Sequence, residues 1–159
     1  MFDGKLRNMA SVYLLCGERI LLLYRQGQSI VKDLWIGSAG GHFEEYELND
    51  ARHCVLRELH EELGLLPDAI SHLQLRYVTL RYTDGELRQN YYFFAKLDSE
   101  RTLPSSEGRT NWFSLSDVSD LPMPFTARWV IDHYIHTGMH TNLLYGGIAD
   151  SNRVAFLPL

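Results

Sequence analysis

Residues Asp50–Leu63 carry an apolar stripe and a cluster of carboxylates on one helix, and this pairing constrains the chain more than any other feature. Ala51, Val55, Leu59 and Leu63 recur every four residues, with Cys54 and Leu56 widening the stripe. Asn49 or Asp50 is placed to cap the start, and Gly64 stands where a C-capping glycine belongs. Glu58, Glu61 and Glu62 fall at i, i+3 and i+4 and so share a face. Like charges at these spacings destabilise a helix by roughly a few tenths of a kcal/mol per pair. They also lie near the C-terminus, where the macrodipole disfavours anions. Local helix stability does not account for them. A hard divalent cation does, because it binds clustered carboxylate oxygens. Arg57 adjoins the cluster and can hold one carboxylate bidentately.

The remaining strand signals come in pairs around this helix. Met9–Cys16 and Arg19–Tyr24 form a hairpin across Gly17-Glu18. The polar segment Gln26–Lys32 reads as a loop. Leu34–Gly41 reads as a short strand entering a tight glycine turn. Leu73–Arg81 and Leu87–Leu97 are joined by Thr83-Asp84-Gly85, and Thr110–Leu115 is a further strand. Phe125–His136 is a second amphipathic helix, ended by Gly138. Leu143–Tyr145 and Arg153–Leu157 fit a small terminal hairpin, which either extends the sheet or makes a dimer contact. Hairpins rather than βαβ units imply an α+β fold with a mixed or mainly antiparallel sheet.

With 159 residues, 45% of them apolar, the chain fits a single domain (1–159) able to bury its own core, with 141–159 as a small extension. Acidic residues outnumber basic ones by 20 to 15, and no basic stripe is present, which argues against a polymeric nucleic acid partner. Cys16 and Cys54 form no disulfide framework, as expected in the cytoplasm. No apolar run is long enough to span a membrane, and Met9–Cys16, although preceded by Lys5 and Arg7, reads as a first strand rather than a signal peptide.

The glycine pair Gly40-Gly41 upstream of the helix sharpens the chemistry, since glycine lets backbone approach a phosphate or offer a carbonyl to a metal. From Gly41 to Leu65 the sequence resembles the signature of the Nudix hydrolases, Gly-x5-Glu-x7-Arg-Glu-U-x-Glu-Glu-x-Gly-U, where U is apolar. Arg57 to Leu65 match at every fixed position, and Gly41 and Glu47 match the first half. The join departs from the pattern: nine residues separate Glu47 from Arg57 where the family has seven. Counting back from Arg57 puts Asn49 in the early glutamate slot, and Glu44 is a third candidate. The surplus pair belongs in the loop, because an insertion within the helix would rotate the carboxylates off their face. Ala39 stands where a proline often precedes the glycines. The order of hairpin, Trp35, glycine pair and Trp112-Phe113-Ser114-Leu115 extends the likeness over most of the chain.

The resemblance implies a Nudix fold, a mixed β-sheet sandwiched between α-helices, and a Mg²⁺- or Mn²⁺-dependent hydrolase of phosphoanhydride bonds. Its substrate would be a small nucleoside diphosphate linked to another group. By the same likeness Glu58, Glu61 and Glu62 ligate metal, with the Gly40 carbonyl as a further ligand. Glu58 is the first choice among the three for the alternative role of base or base-orienting group, and Arg57 orients it. Gly41, Arg25, Glu44, Glu47 and Glu107 are candidates for phosphate or substrate contact. Glu107 lies in a loop where members of the family often carry a late glutamate.

The form Gly-Gly-His-Phe-Glu is similar to the MutT-type branch, which implies hydrolysis of nucleoside triphosphates, 8-oxo-dGTP first among them. The asparagine that reads the oxidised base in that branch follows a Pro-Pro-type turn, and here Phe125 follows Leu121-Pro122-Met123-Pro124. Nucleotide sugars and dinucleoside polyphosphates are alternative substrates, and a non-catalytic nucleotide-binding module is an alternative role. His133, His136 and His140 lack the Cys or carboxylate that would complete a zinc site. His60 is expected to be exposed. Trp35, Tyr91, Tyr92 and Phe93 read as core rather than as a base-stacking platform.

Overall fold

The computed structural model describes residues 1–25 and 33–159; the loop expected over Gln26–Lys32 lies outside them. Among the described residues, nine strands form one sheet: β1 (Leu6–Cys16), β2 (Arg19–Arg25), β3 (Leu34–Ile36), β4 (Ala39–His42), β5 (Ser71–Thr83), β6 (Glu86–Lys96), β7 (Gly108–Ser114), β8 (Tyr145–Ala149) and β9 (Val154–Pro158). The helices α1 (Ala51–Leu63) and α2 (Phe125–His136) accompany it. The order is β3-β2-β1-β6-β5-β8-β9, with β4 pairing with β1 and β7 with β2. The β1–β6 and β5–β8 pairs are parallel and the others antiparallel, so the sheet is mixed.

Period-two alternation sends each strand to both faces. Ala10, Val12 and Leu14 of β1 pack with Cys54, Val55, Leu59 and Leu63 of α1. Tyr13 and Leu15 turn the other way, toward Ala127, Val130, Ile131 and Tyr134 of α2. In β2, Leu21 joins the α1 side, while Ile20 and Leu22 join the α2 side. The sheet is thus sandwiched between helices, as the resemblance implied.

The caps of α1 are local and strong. The Asp50 carboxylate accepts a hydrogen bond from the His53 N–H at 2.9 Å. Gly64 closes the helix in the left-handed region at φ 69°. The β5–β6 hairpin turns on Asp84 and Gly85, both at positive φ, which suits the right-handed twist of the strands.

Two expectations need correction. Gly40-Gly41 lie inside β4, paired with Ser11 and Ala10 of β1, and not in a tight turn. The glycines are required by close approach: a Cβ on Gly40 would stand 2.6 Å from the Ala10 carbonyl oxygen. The first arm of the terminal hairpin is Tyr145–Ala149 rather than Leu143–Tyr145, and it runs through Gly146-Gly147. Gly147 belongs in that strand because Phe156 and Thr79 occupy the space a side chain would need. The hairpin adds to the main sheet through β5.

Candidate active site

Strand β4 and helix α1 meet where β4 crosses the carboxylate face of the helix. Arg57 and Glu47 form the centre of this junction. Glu47 is fully buried at the end of a 3₁₀ turn over Glu45–Glu47. Its carboxylate accepts from Arg57 Nε at 3.0 Å and from Arg57 Nη2 at 2.9 Å. It also accepts from the Glu44 backbone N–H at 2.9 Å and pairs with His53 Nδ1 at 2.8 Å. Hydrogen bonding to Arg57 outweighs the burial penalty and brings the Glu47 pKa down to about 2. The same pairing holds the Arg57 pKa above its ordinary value.

Of the three candidates for the early glutamate slot, Glu47 reaches Arg57. The side chains of Glu44 and Asn49 are exposed. Among the described residues, neither of those side chains joins the Arg57 network. The surplus pair is absorbed between β4 and the first turn of α1, so the helix runs uninterrupted from Ala51.

Anchored by Glu47, Arg57 directs its other donors outward. Nη1 donates to Glu58 Oε1 at 2.9 Å and to Glu61 Oε2 at 3.0 Å, and Nη2 also donates to the His42 carbonyl at 3.1 Å. Glu58 lies over Gly41, where a Cβ would come within 2.7 Å of the Glu58 carboxyl carbon. Gly41 is therefore a space requirement of the carboxylate. Glu62 is buried beside Glu58, and burial first, then Glu58, push its pKa up to about 8.

The rim is basic. Arg25, at the end of β2, pairs with Glu107 at 3.2 Å, and both act electrostatically on Glu62. The backbone N–H of Ser106 donates to the Glu62 carbonyl, which fixes this loop against the end of α1. Arg7 Nη2 lies 3.1 Å from His42 Nε2, and the His42 pKa is lowered by burial and by Arg7. Sequence reasoning missed Arg7, His42 and His53. Their roles depend on β1–β4 pairing and on the 3₁₀ turn, neither of which leaves a local signal. Gly40 sits one residue from Gly41, paired with Ser11.

Elsewhere, His60 is exposed as expected, and Trp35, Tyr92 and Phe93 are in the core. Tyr91 is half-buried against Phe43. His133 Nδ1 pairs with the Tyr77 hydroxyl at 2.8 Å, among the rings of Tyr145 and Phe156.

The donor set suits a hard divalent cation. Glu58 and Glu62 are adjacent buried carboxylates; burial first, and then the neighbouring Glu58, raise the Glu62 pKa, and a cation between them would offset both. Among the described residues no three His, Cys, Asp or Glu side chains stand as a closed ligand set. The third carboxylate, Glu61, is turned to Arg57.

A family model described as the NUDIX domain matches residues 5–134. The chain belongs to the NUDIX family. As a NUDIX hydrolase it is a pyrophosphohydrolase, and enzymes of this family act on small nucleotides and generally use divalent metals. No curated relative matches the sequence. Among solved structures, the NUDIX hydrolase of Nitrosomonas europaea has a TM-score of 0.71 at 15% identity, over 94% of this chain and 81% of that one. The mutator MutT protein of Bacillus halodurans gives 0.64 at 19% identity, over 96% and 97%. The Ap4A hydrolase of C. elegans gives 0.64 at 19% identity, over 85% and 99%. At these identities the likeness establishes the fold. Among the described residues no helix is long and apolar enough to cross a membrane.

Proposed function

We propose that this NUDIX enzyme hydrolyses a nucleoside triphosphate to the monophosphate and pyrophosphate with Mg²⁺ or Mn²⁺, an oxidised guanine nucleotide being the first candidate. The supporting observation is the combination of a buried Glu58–Glu62 pair with the Arg25 guanidinium, which pairs with Glu107 and acts electrostatically on Glu62. The acidic pair suits a cation, and the guanidinium suits a polyanionic chain.

Glu58, Glu61 and Glu62 would hold the metal, which when bound supplies charge neutralisation on the diphosphate and a lowered pKa for attacking water. Arg57 orients Glu58 and Glu61 through Nη1, and Glu47 fixes Arg57 by accepting from its Nε and Nη2. Glu58, held at one oxygen by Arg57, is the residue we assign to orient or deprotonate water. Arg25 would bind phosphoryl oxygens, and Glu107 positions it. The base contact differs from the MutT-type pattern: Phe125 stands where the reading asparagine is expected, and the Arg81 guanidinium lies 4.6 Å from the centre of its ring.

The test is turnover of a panel of nucleoside triphosphates, oxidised nucleotides, nucleotide sugars and dinucleoside polyphosphates with Mg²⁺ or Mn²⁺, with Glu61→Gln as control. Monophosphate and pyrophosphate from one triphosphate, reduced at least a hundredfold in the variant, support the reading. Turnover confined to nucleotide sugars or dinucleoside polyphosphates overturns the substrate. Nucleotide-induced thermal stabilisation with no turnover would identify a binding module instead.

A further inference from the structure

A second cleft, of about 390 Å³, opens at the far end of β1. Its apolar wall includes Leu15, Phe94, Leu115 and Tyr134, side chains of the α2-side core. Gly40 and Gly41 pair with Ser11 and Ala10, four to five residues back along β1, or about 15 Å at the rise of a strand. The carboxylate site faces α1, so the cleft is separate from it in both position and face.

Arg76 lines this cleft and is buried, at 6% exposure. It is there because of a β-bulge. Pairing of β5 with β6 slips between Leu75 and Tyr77, so Arg76 and Tyr77 are both buried although consecutive strand residues ordinarily face opposite sides. Arg76 Nε donates to the Leu143 carbonyl at 3.1 Å, and Nη2 donates to those of Gly138 at 2.6 Å and Thr141 at 2.8 Å. These bonds use three of the five guanidinium N–H groups. Among the described residues, Nη1 has no acceptor and no carboxylate pairs with the guanidinium. Burying a charge without a counter-ion is unfavourable, and carbonyl dipoles offset it only in part. Lys96 and His72 also line the cleft, and its lining contains no Asp or Glu, in a chain with five more acidic than basic residues.

We infer that this cleft is a binding site for a small organic anion. A phosphoryl or carboxylate head would be taken by Arg76 Nη1 and Lys96, and an apolar body would lie against Phe94 and Leu115. The site is independent of the metal-dependent reaction.

The experiment titrates phenyl phosphate, benzoate and inorganic phosphate into the full chain, freed of metal on a chelating resin, and follows backbone amides by NMR. Phenyl phosphate or benzoate is expected to shift His72, Gln74 and Lys96 saturably, with inorganic phosphate at least threefold weaker for want of an apolar body. Which of the two organic probes binds more tightly identifies the head group. Arg76→Lys keeps the charge but loses the fork, and should raise Kd about tenfold. Because Arg76 also ties down residues 138–143, two rim variants guard against misfolding: Lys96→Ala should raise Kd at least threefold, and Asn142→Trp should block binding, both at unchanged melting temperature. Shifts that fail to saturate, that map to Gly40–Glu62, or that persist unaltered in both rim variants overturn the inference.

Discussion

Glu47 and Arg57, ten residues apart, are joined by two hydrogen bonds, Nε to Oε2 at 3.0 Å and Nη2 to Oε1 at 2.9 Å. The carboxylate is fully buried, so the guanidinium is both its counter-ion and its principal donor. This pair makes the geometry of Glu58 and Glu61 depend on a residue outside α1.

Glu47→Gln should therefore affect both stability and turnover. Removing one member of a buried ion pair costs about 3–5 kcal/mol when the partner stays uncompensated; the isosteric amide retains one acceptor, so about 2–3 kcal/mol is expected here. In a chain of this size that lowers the melting temperature by about 5–10 °C. Turnover should fall at least tenfold as Arg57 loses its anchor. Glu44→Gln and Asn49→Ala, at exposed positions, should stay within about 0.5 kcal/mol of wild type. Equal effects from all three in calorimetry and kinetics would refute the assignment of Glu47.

The same pair sets an acid limit. The Glu47 pKa is about 2 in the fold against 4.5 for the free side chain. A depressed pKa means that the unfolded chain binds the proton more readily. The contribution is thus complete above pH 4.5 and is lost as pH falls toward 2. The displacement corresponds to about 3 kcal/mol. Urea denaturation at a series of pH values should show the gap between wild type and Glu47→Gln narrowing over this window. A constant gap would place the Glu47 pKa near its ordinary value.

Gly41→Ala tests the packing of β4 on Glu58. The added methyl group would overlap the Glu58 carboxylate while leaving the backbone at an ordinary strand conformation. The protein should fold with a melting temperature within a few degrees of wild type, yet lose at least a hundredfold in turnover and bind Mg²⁺ more weakly by calorimetry. Retention of full activity would show that Glu58 works from another rotamer.

These results also mark what was legible in the residues. The helix α1, its Asp50 and Gly64 caps and its acidic face are set by spacing within one helix, so the sequence specifies them directly. The Glu47–Arg57 contact was ambiguous because the join is two residues longer than the family pattern, and a 3₁₀ turn that shortens a loop has no strong compositional sign. Gly40-Gly41 and Gly146-Gly147 looked like loop residues. At Gly40, Gly41 and Gly147 glycine serves a strand that lacks room for a side chain, a demand made by Ala10, Glu58, Phe156 and Thr79 from distant parts of the chain. The Arg76 bulge was invisible for the same reason, since it is defined by slippage against β6.

The terminal hairpin is expected to be part of the folding unit, although the family match ends at residue 134. Tyr77, fully buried in β5, stacks on Tyr145 at 5.5 Å and meets Phe156 edge-on at 5.4 Å. Arg76 takes one of its carbonyl acceptors from Leu143. Ending the chain after Asn142 would expose the Tyr77 ring and strip an acceptor from a buried charge, a loss of about 4 kcal/mol or more. The truncated protein should show no cooperative thermal transition above about 40 °C and a weakened near-ultraviolet dichroism signal. A sharp transition within a few degrees of wild type would instead mark residues 143–159 as an appendage to a complete fold.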